Sequence, residues 1–420
     1  MKRPESTSGG VAITTPATDE ITDTGSDSSQ LVSVPRQRQL LIAGMAVHAV
    51  GVEILTILPA FVHGLVEHMG FSEVQAGRIA SLENLGMAVS TVSLTLLWRH
   101  IHWRRACIVG LIVLGLANIL SIWGHSYPLM LAMRFASGLG AGVSIVLSYA
   151  VIGLTLRKER NFGLLVFSSL LFGAAMFAII PLSVRVGGMT IVFLLLGGLP
   201  LLSLALARYF PDMRGKETAA QSAGLAASLK VSALAGVALY AVAIGALWAY
   251  FFRIGASAGL PEDVLSRSFS LSQFCAIGGS FLAAALAHRL RLSWALTLGI
   301  AGLVFPLVGI LDRPSALIFA ITICLFNGFW NFFHPYVLAA FAIFGENSRM
   351  VVYASPLLMI GLSAGPALAS MTLGENSFTR IIVGSAILLV LSLLLMLPAA
   401  IKSVQTIAEG RRLKEGAAMP

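Results

Sequence analysis

Apolar runs of about 18–25 residues, the length a helix needs to cross about 30 Å of hydrocarbon, alternate with short polar loops from Leu40 to Ile401. They predict about twelve spans. The first six cover 40–65, 75–98, 106–124, 128–154, 162–184 and 190–209. The second six cover 231–254, 266–288, 294–311, 315–342, 350–373 and 379–401. The polar segment between them, from Phe210 to Lys230, reads as a link between two bundles. The implied organisation is a tail at 1–37, a bundle at 38–209, a cytoplasmic linker at 210–230, a bundle at 231–401 and a tail at 402–420.

The second half echoes the first. GFSEVQAGRIASLEN, from Gly70 to Asn84, aligns without gaps on GLPEDVLSRSFSLSQ, from Gly259 to Gln273. Arg78 falls on Arg267, Ser81 on Ser270 and Leu82 on Leu271, each at an offset of 267 − 78 = 189. The basic loops starting at Trp98 and Ala287 keep the same offset. Duplicated helical halves are a common plan for secondary transporters, because two similar bundles can rock about a site between them.

Composition agrees with lipid as the solvent. The chain of 420 residues is 57% hydrophobic and 11% charged, with mean hydropathy +0.87. A water-soluble domain cannot hide that much apolar surface behind so few charges. The net charge of +9 does not form a nucleic-acid patch, since the cations sit in short loops. With both termini in the cytoplasm, fourteen cations lie at inner loops and helix ends, among them Arg99, Arg104, Arg105, Arg157 and Arg208. Six lie outside: Arg78, Arg185, Arg253, Arg267, Arg313 and Arg380. This bias fixes the orientation by the positive-inside rule. Cys107, Cys275 and Cys324 have no disulfide or metal spacing, and the polar tail 1–37 lacks the apolar core of a signal peptide.

The fourth span reads Arg134-Phe-Ala-Ser-Gly138-Leu-Gly140-Ala-Gly142, which resembles the fourth-helix motif of the major facilitator superfamily. The resemblance implies an all-α membrane fold of two pseudo-symmetric six-helix bundles, with a central cavity and alternating access for a small solute. The glycines let a neighbouring helix approach closely. The chain departs from the family in the loop after the second span. Arg104 and Arg105 match, but Leu96, His100 and Trp103 replace its Gly, Asp and Gly. The fifth-span antiporter pattern is also missing, and a similar one stands in the eleventh span as Gly361-Leu-Ser-Ala-Gly365-Pro366. These residues are read as packing or gating positions.

Ionisable groups at membrane depth are expensive and must face protein or water. Arg134 lies about 9 Å below the outer end of its span, Glu83 about 12 Å and Glu53 about 18 Å, at 1.5 Å per residue. Glu83 therefore matches Arg134 best, and Glu53 reaches it only if the arginine points inward. Either the acids exchange a proton against the arginine or they form a fixed pair holding two helices. His48 reads as an interior histidine near the path. Asn327, Trp330, Asn331 and His334 form a stripe with helical spacing, suited to a substrate wall or to hydrogen bonds between helices. Asn84 and Gln273 share a repeat position that could line the cavity. Trp248 and Tyr250 fit an outer aromatic belt, with Arg253 also an anion contact.

Together these readings predict a secondary transporter in the inner cell membrane, moving a carboxylated or aromatic solute by proton symport, as a monomer. Drug or metabolite efflux by proton antiport is the alternative. A membrane enzyme or a sensor fits less well, since there is no nucleophile elbow, phosphate loop, metal cluster or cofactor motif.

Overall fold

The computed structural model describes residues 34–214, 227–287, 289–344, 349–372 and 378–417. Residues 1–33 of the expected tail and 215–226 of the expected linker lie outside them. The first bundle comprises α1 (Val34–Glu67), α2 (Glu73–Leu96), α3 (Trp103–Leu120), α4 (Tyr127–Gly153) and α5 (Lys158–Ala207). The second comprises α6 (Ala227–Ser257), α7 (Glu262–Leu286), α8 (Leu292–Val304), α9 (Ala316–Phe344), α10 (Arg349–Thr372) and α11 (Thr379–Ala417). Among the described residues, ten helices are long and apolar enough to span a membrane, and Leu357–Thr372 is a shorter apolar one.

The expected fifth and sixth spans are joined in α5, which bends at Gly187 and Gly188. Gly188 has φ 62° and ψ −156°, a region open in practice only to glycine. The Gly188→Ala variant is expected to lose about 1–3 kcal/mol, read as a lower melting temperature in detergent; an unchanged melting curve would show that the bend relaxes freely. Expected boundaries shift elsewhere by a few residues. The ninth span ends early as α8, and Phe305–Ile310 tightens into a 3₁₀ turn where Pro306 removes an N–H. The last helix runs to Ala417, well past the span end expected at 401.

The repeat exists in the backbone. Gly70 and Gly259, 189 residues apart, both take positive φ, at 74° and 85°, and each leads from one helix into the next. Before α2, Ser72 accepts from the Gln75 amide at 3.2 Å while Gln75 accepts from the Ser72 amide at 3.0 Å. This reciprocal cap satisfies two orphan helix donors. Pro261 takes the corresponding place before α7, without a side-chain cap.

Close backbone crossings hold each bundle. A Cβ on Gly138 would strike the Glu83 carbonyl, and one on Gly142 would meet Met87 and Ser90, so both press α4 onto α2. Gly140 faces α3 at Gly110 and Leu114. Gly361 and Gly365 press α10 onto α6 at Ala241 and Val242. Outward faces present apolar groups such as Leu96, Phe281 and Phe305, all about three-quarters exposed, as lipid requires.

The bundles meet through α2 on α10, α5 on α7 and α1 on α6. Their mutual hydrogen bonds cluster toward the end carrying the α1–α2 and α6–α7 loops. Ser363 donates to the Ser81 carbonyl at 2.7 Å, and Ser270 to the Ala174 carbonyl at 2.9 Å. Trp248 donates to the Leu55 carbonyl at 2.7 Å, and Tyr250 to the Glu73 carbonyl at 2.9 Å. The expectation of an aromatic belt at Trp248 and Tyr250 is therefore corrected, because both are buried between the bundles. Both surfaces favour an apolar ring with a polar tip.

Candidate functional site

The first polar centre lies inside the first bundle. Arg134 on α4 and Glu83 on α2 have fully buried side chains with Nη1 and Oε1 3.2 Å apart. The same Nη1 donates to Asn118 Oδ1 at 2.9 Å. Nη2 donates to Ser121 Oγ at 2.6 Å and to the Ala117 carbonyl at 3.3 Å. Ser137 donates to Glu83 Oε1 at 2.7 Å. The guanidinium also lies over the rings of Phe61 on α1 and Phe193 on α5, 5.5 and 5.4 Å from their centroids. Five helices thus meet at one cation. Its charge is desolvated, and cation–π contact adds to the ion pair there.

Glu53 on α1 is 3% exposed and within electrostatic range of Glu83. Its Oε1 has no hydrogen-bond partner, nor has Glu83 Oε2. Two buried carboxyl groups therefore lie near each other, and Arg134 bonds Glu83. His48 lies apart from it, 2.9 Å from Ser148 Oγ and against the Tyr149 ring at 4.9 Å.

A cavity of about 250 Å³ lies between the bundles. Asn84, Gln273, Asn327, Trp330, Asn331 and His334 all line it. Tyr149, Tyr240 and Trp248 add aromatic walls, with Val52, Leu55 and Thr56 of α1 beside Glu53. A hydrogen bond between helices also uses part of the α9 stripe: Asn327 donates to the Ser272 carbonyl of α7 at 3.2 Å, while Asn331 donates to Asn327 Oδ1 within α9 at 3.1 Å. Both readings of that stripe therefore describe part of it. Trp330 packs edge-on against Trp248, with centroids 5.3 Å apart.

Arg134 and Glu53 are absent from the described lining. An arginine contact for a carboxylated solute consequently has no footing in this conformation. Arg253 is also absent from it. It donates to Glu67 at 2.5 Å and, through a short contact, to Glu73, so its expected cavity role is corrected. Both acids come from the opposite bundle and outcompete any anion.

Residues 41–354 match the sequence model of the Major Facilitator Superfamily, which spans well over half the chain. The chain belongs to the Major Facilitator Superfamily. Among solved structures it is similar to a D-xylose–proton symporter, with TM-score 0.69 and 11% identity, covering 88% of this chain and 97% of that one. It is also similar to a bacterial homologue of the human lysosomal transporter Spinster, solved inward-facing and unoccupied, with TM-score 0.62 and 13% identity. That match covers 89% of this chain and 99% of that one. At these identities the likeness shows the fold alone.

In this superfamily member the end with the α1–α2 and α6–α7 loops, closed by contacts between the bundles, carries groups that sequence reasoning missed. His63 Nε2 lies 3.0 Å from Glu262 Oε1 and Nδ1 lies 3.0 Å from Arg253 Nη1. Arginine only donates, so Nδ1 accepts and the proton belongs on Nε2. The Arg253–Glu67–Glu73 and His63–Glu262 contacts join α6 and α7 to α1 and α2. Arg253→Ala is expected to release this end. Spin labels at Met69 and Ser257, in a background without Cys107, Cys275 and Cys324, should then show a longer, broader distance; an unchanged distance would make the cluster incidental.

At the other end, Arg104 donates to the Phe210 carbonyl at 2.9 Å, and His102 lies 3.3 Å from Asp212. The α2–α3 connection is thus tied to the start of the linker, by the matching Arg104 together with His102, which the superfamily motif does not supply. Arg105 is exposed. Asn118, Ser121 and Ser137, which complete the Arg134 cage, left only a faint signal: single small polar residues in apolar runs.

Proposed function

We propose that the chain is a proton-coupled uptake transporter for a small organic solute. The observation that carries this reading is Glu53, a buried acid with an unpartnered oxygen, placed beside the Glu83–Arg134 pair and beside the α1 residues that line the cavity. A proton on Glu53 neutralises the acid the arginine leaves free. Loss of that proton makes a second anion compete for the arginine and alters the packing of α1 on α2 and α4. Since α1 also forms one cavity wall, proton occupancy and solute occupancy act on the same helix.

The closed end is the outer one in the positive-inside orientation, so the cavity is reached from the cytoplasm. Its lining runs from Leu58 and Trp248 near the closed end to Tyr149, His334 and Leu358 toward the other. Symport follows from an outward-facing state loaded with both proton and solute, then closure of the outer latch. An apolar share of the lining, including Ile145, Leu170, Ile244 and Met359, supports a second reading as a metabolite exporter by proton antiport.

Reconstituted vesicles loaded with a pH-sensitive dye separate these readings. Solutes that raise the melting temperature of the purified protein, as binders do by mass action, are added outside vesicles without a gradient. Symport acidifies the lumen as solute enters, and antiport alkalinises it. Solute entry with no pH change would end the proposal of proton coupling.

A further inference from the structure

Taking the cavity as the solute site, as proposed above, we infer that it selects an uncharged solute smaller than a typical drug. The solute offers a hydrogen-bond donor to Asn84 and an acceptor to Gln273, and lays a flat face against Trp330.

Charge is the first discriminator. No Asp, Glu, Lys or Arg occurs among the described lining residues. The nearby cations are already engaged, Arg134 by Glu83, Asn118 and Ser121 and Arg253 by Glu67 and Glu73. An ion entering the cavity would leave water without meeting a counter-charge, which is strongly unfavourable. A neutral solute has no such cost.

The two amides give the second discriminator. Asn84 is 2% exposed and donates Nδ2 to the Leu362 carbonyl at 3.3 Å. A carbonyl only accepts, so Oδ1 is the atom left over, and it has no partner. Gln273 is 1% exposed, and its Nε2 has none. A buried acceptor on one bundle and a buried donor on the other thus await the same ligand. They occupy equivalent repeat positions, 273 − 84 = 189, yet offer opposite polarity. A primary amide, lactam or hydroxyl group presents both complements within a few atoms. Sites built on such groups reject analogues lacking them far better than apolar pockets reject size variants. The volume of about 250 Å³ falls just under the range of drug-sized pockets.

Four probes of one shape test the assignment: benzamide, benzoate, benzylammonium and toluene, titrated into purified full-length protein while tryptophan fluorescence and melting temperature are followed. Benzamide should bind at least about tenfold more tightly than each of the others, the scale of one satisfied buried polar group. Asn84→Leu and Gln273→Leu should each erase most of its advantage over toluene. Gln273→Glu supplies the missing counter-charge and should shift preference to benzylammonium, which guards against reading misfolding as loss of binding. Equal or tighter binding of either ion to the parent protein, no binding by any probe, or leucine variants that keep the discrimination would overturn the assignment. None of these readouts uses a proton gradient. Benzamide binding without coupled proton movement would defeat the proton-coupling reading and leave the subsite standing.

Discussion

Arg134→Ala abolishes transport and lowers the stability of the first bundle by about 3–5 kcal/mol, the usual consequence of removing one partner of a buried ion pair. Glu83 would keep a carboxylate with no exposed surface, and Asn118, Ser121 and the Ala117 carbonyl would lose their donor. The rings of Phe61 and Phe193 would face a void where the guanidinium lay. Water cannot fill the gap cheaply, because the site is enclosed by five helices. Thermal unfolding in detergent measures the loss. The double variant Arg134→Leu with Glu83→Leu removes both charges and should melt above Arg134→Ala, since an apolar pair often replaces a buried ion pair at little cost. A single variant that melts with the parent would mean that Glu83 neutralises by itself and that the pair adds nothing to the fold.

Much of the frame could be read from the chain because lipid imposes it. Run length alone locates the helices, and their number follows once α5 is divided at Gly187 and Gly188. The 189-residue offset predicted matching loops, and Gly70 and Gly259, at that offset, share the positive φ of a glycine that ends a helix. Depth counting matches Arg134 with Glu83, the pair that lies 3.2 Å apart. Hydropathy fails where two different surfaces look alike. Trp248, Tyr250 and Arg253 have the composition of a lipid-interface belt, but an interbundle seam favours the same residues. The Asn118, Ser121 and Ser137 cage was hidden for another reason. Small polar residues are frequent in membrane helices, so only the crossing geometry of α2, α3 and α4 singles these out. The α2–α3 loop illustrates a third limit. Without the superfamily's acidic residue it anchors itself through Arg104 to the Phe210 carbonyl, and a backbone acceptor leaves no mark in the sequence.

Glu53→Gln separates the two acids and is expected to have the largest effect on function with the smallest effect on fold. The side chain keeps its volume, and its Oε1 position has no hydrogen-bond partner to lose. Stability should therefore change by under about 1 kcal/mol, far less than for Arg134→Ala, because no ion pair is broken. Glutamine mimics the protonated acid permanently. If Glu53 carries the coupled proton, the variant still binds solute and exchanges it across the membrane, but an imposed pH gradient no longer drives accumulation. Glu83→Gln behaves differently, since it removes the anion that Arg134 holds at 3.2 Å. It should lower stability and impair exchange as well as accumulation. Counterflow of labelled solute in proteoliposomes, compared with gradient-driven uptake in the same vesicles, reads both quantities. Full gradient-driven accumulation by Glu53→Gln would remove Glu53 from the coupling path. Proton exchange would then fall to Glu83, whose second carboxylate oxygen is equally unpartnered.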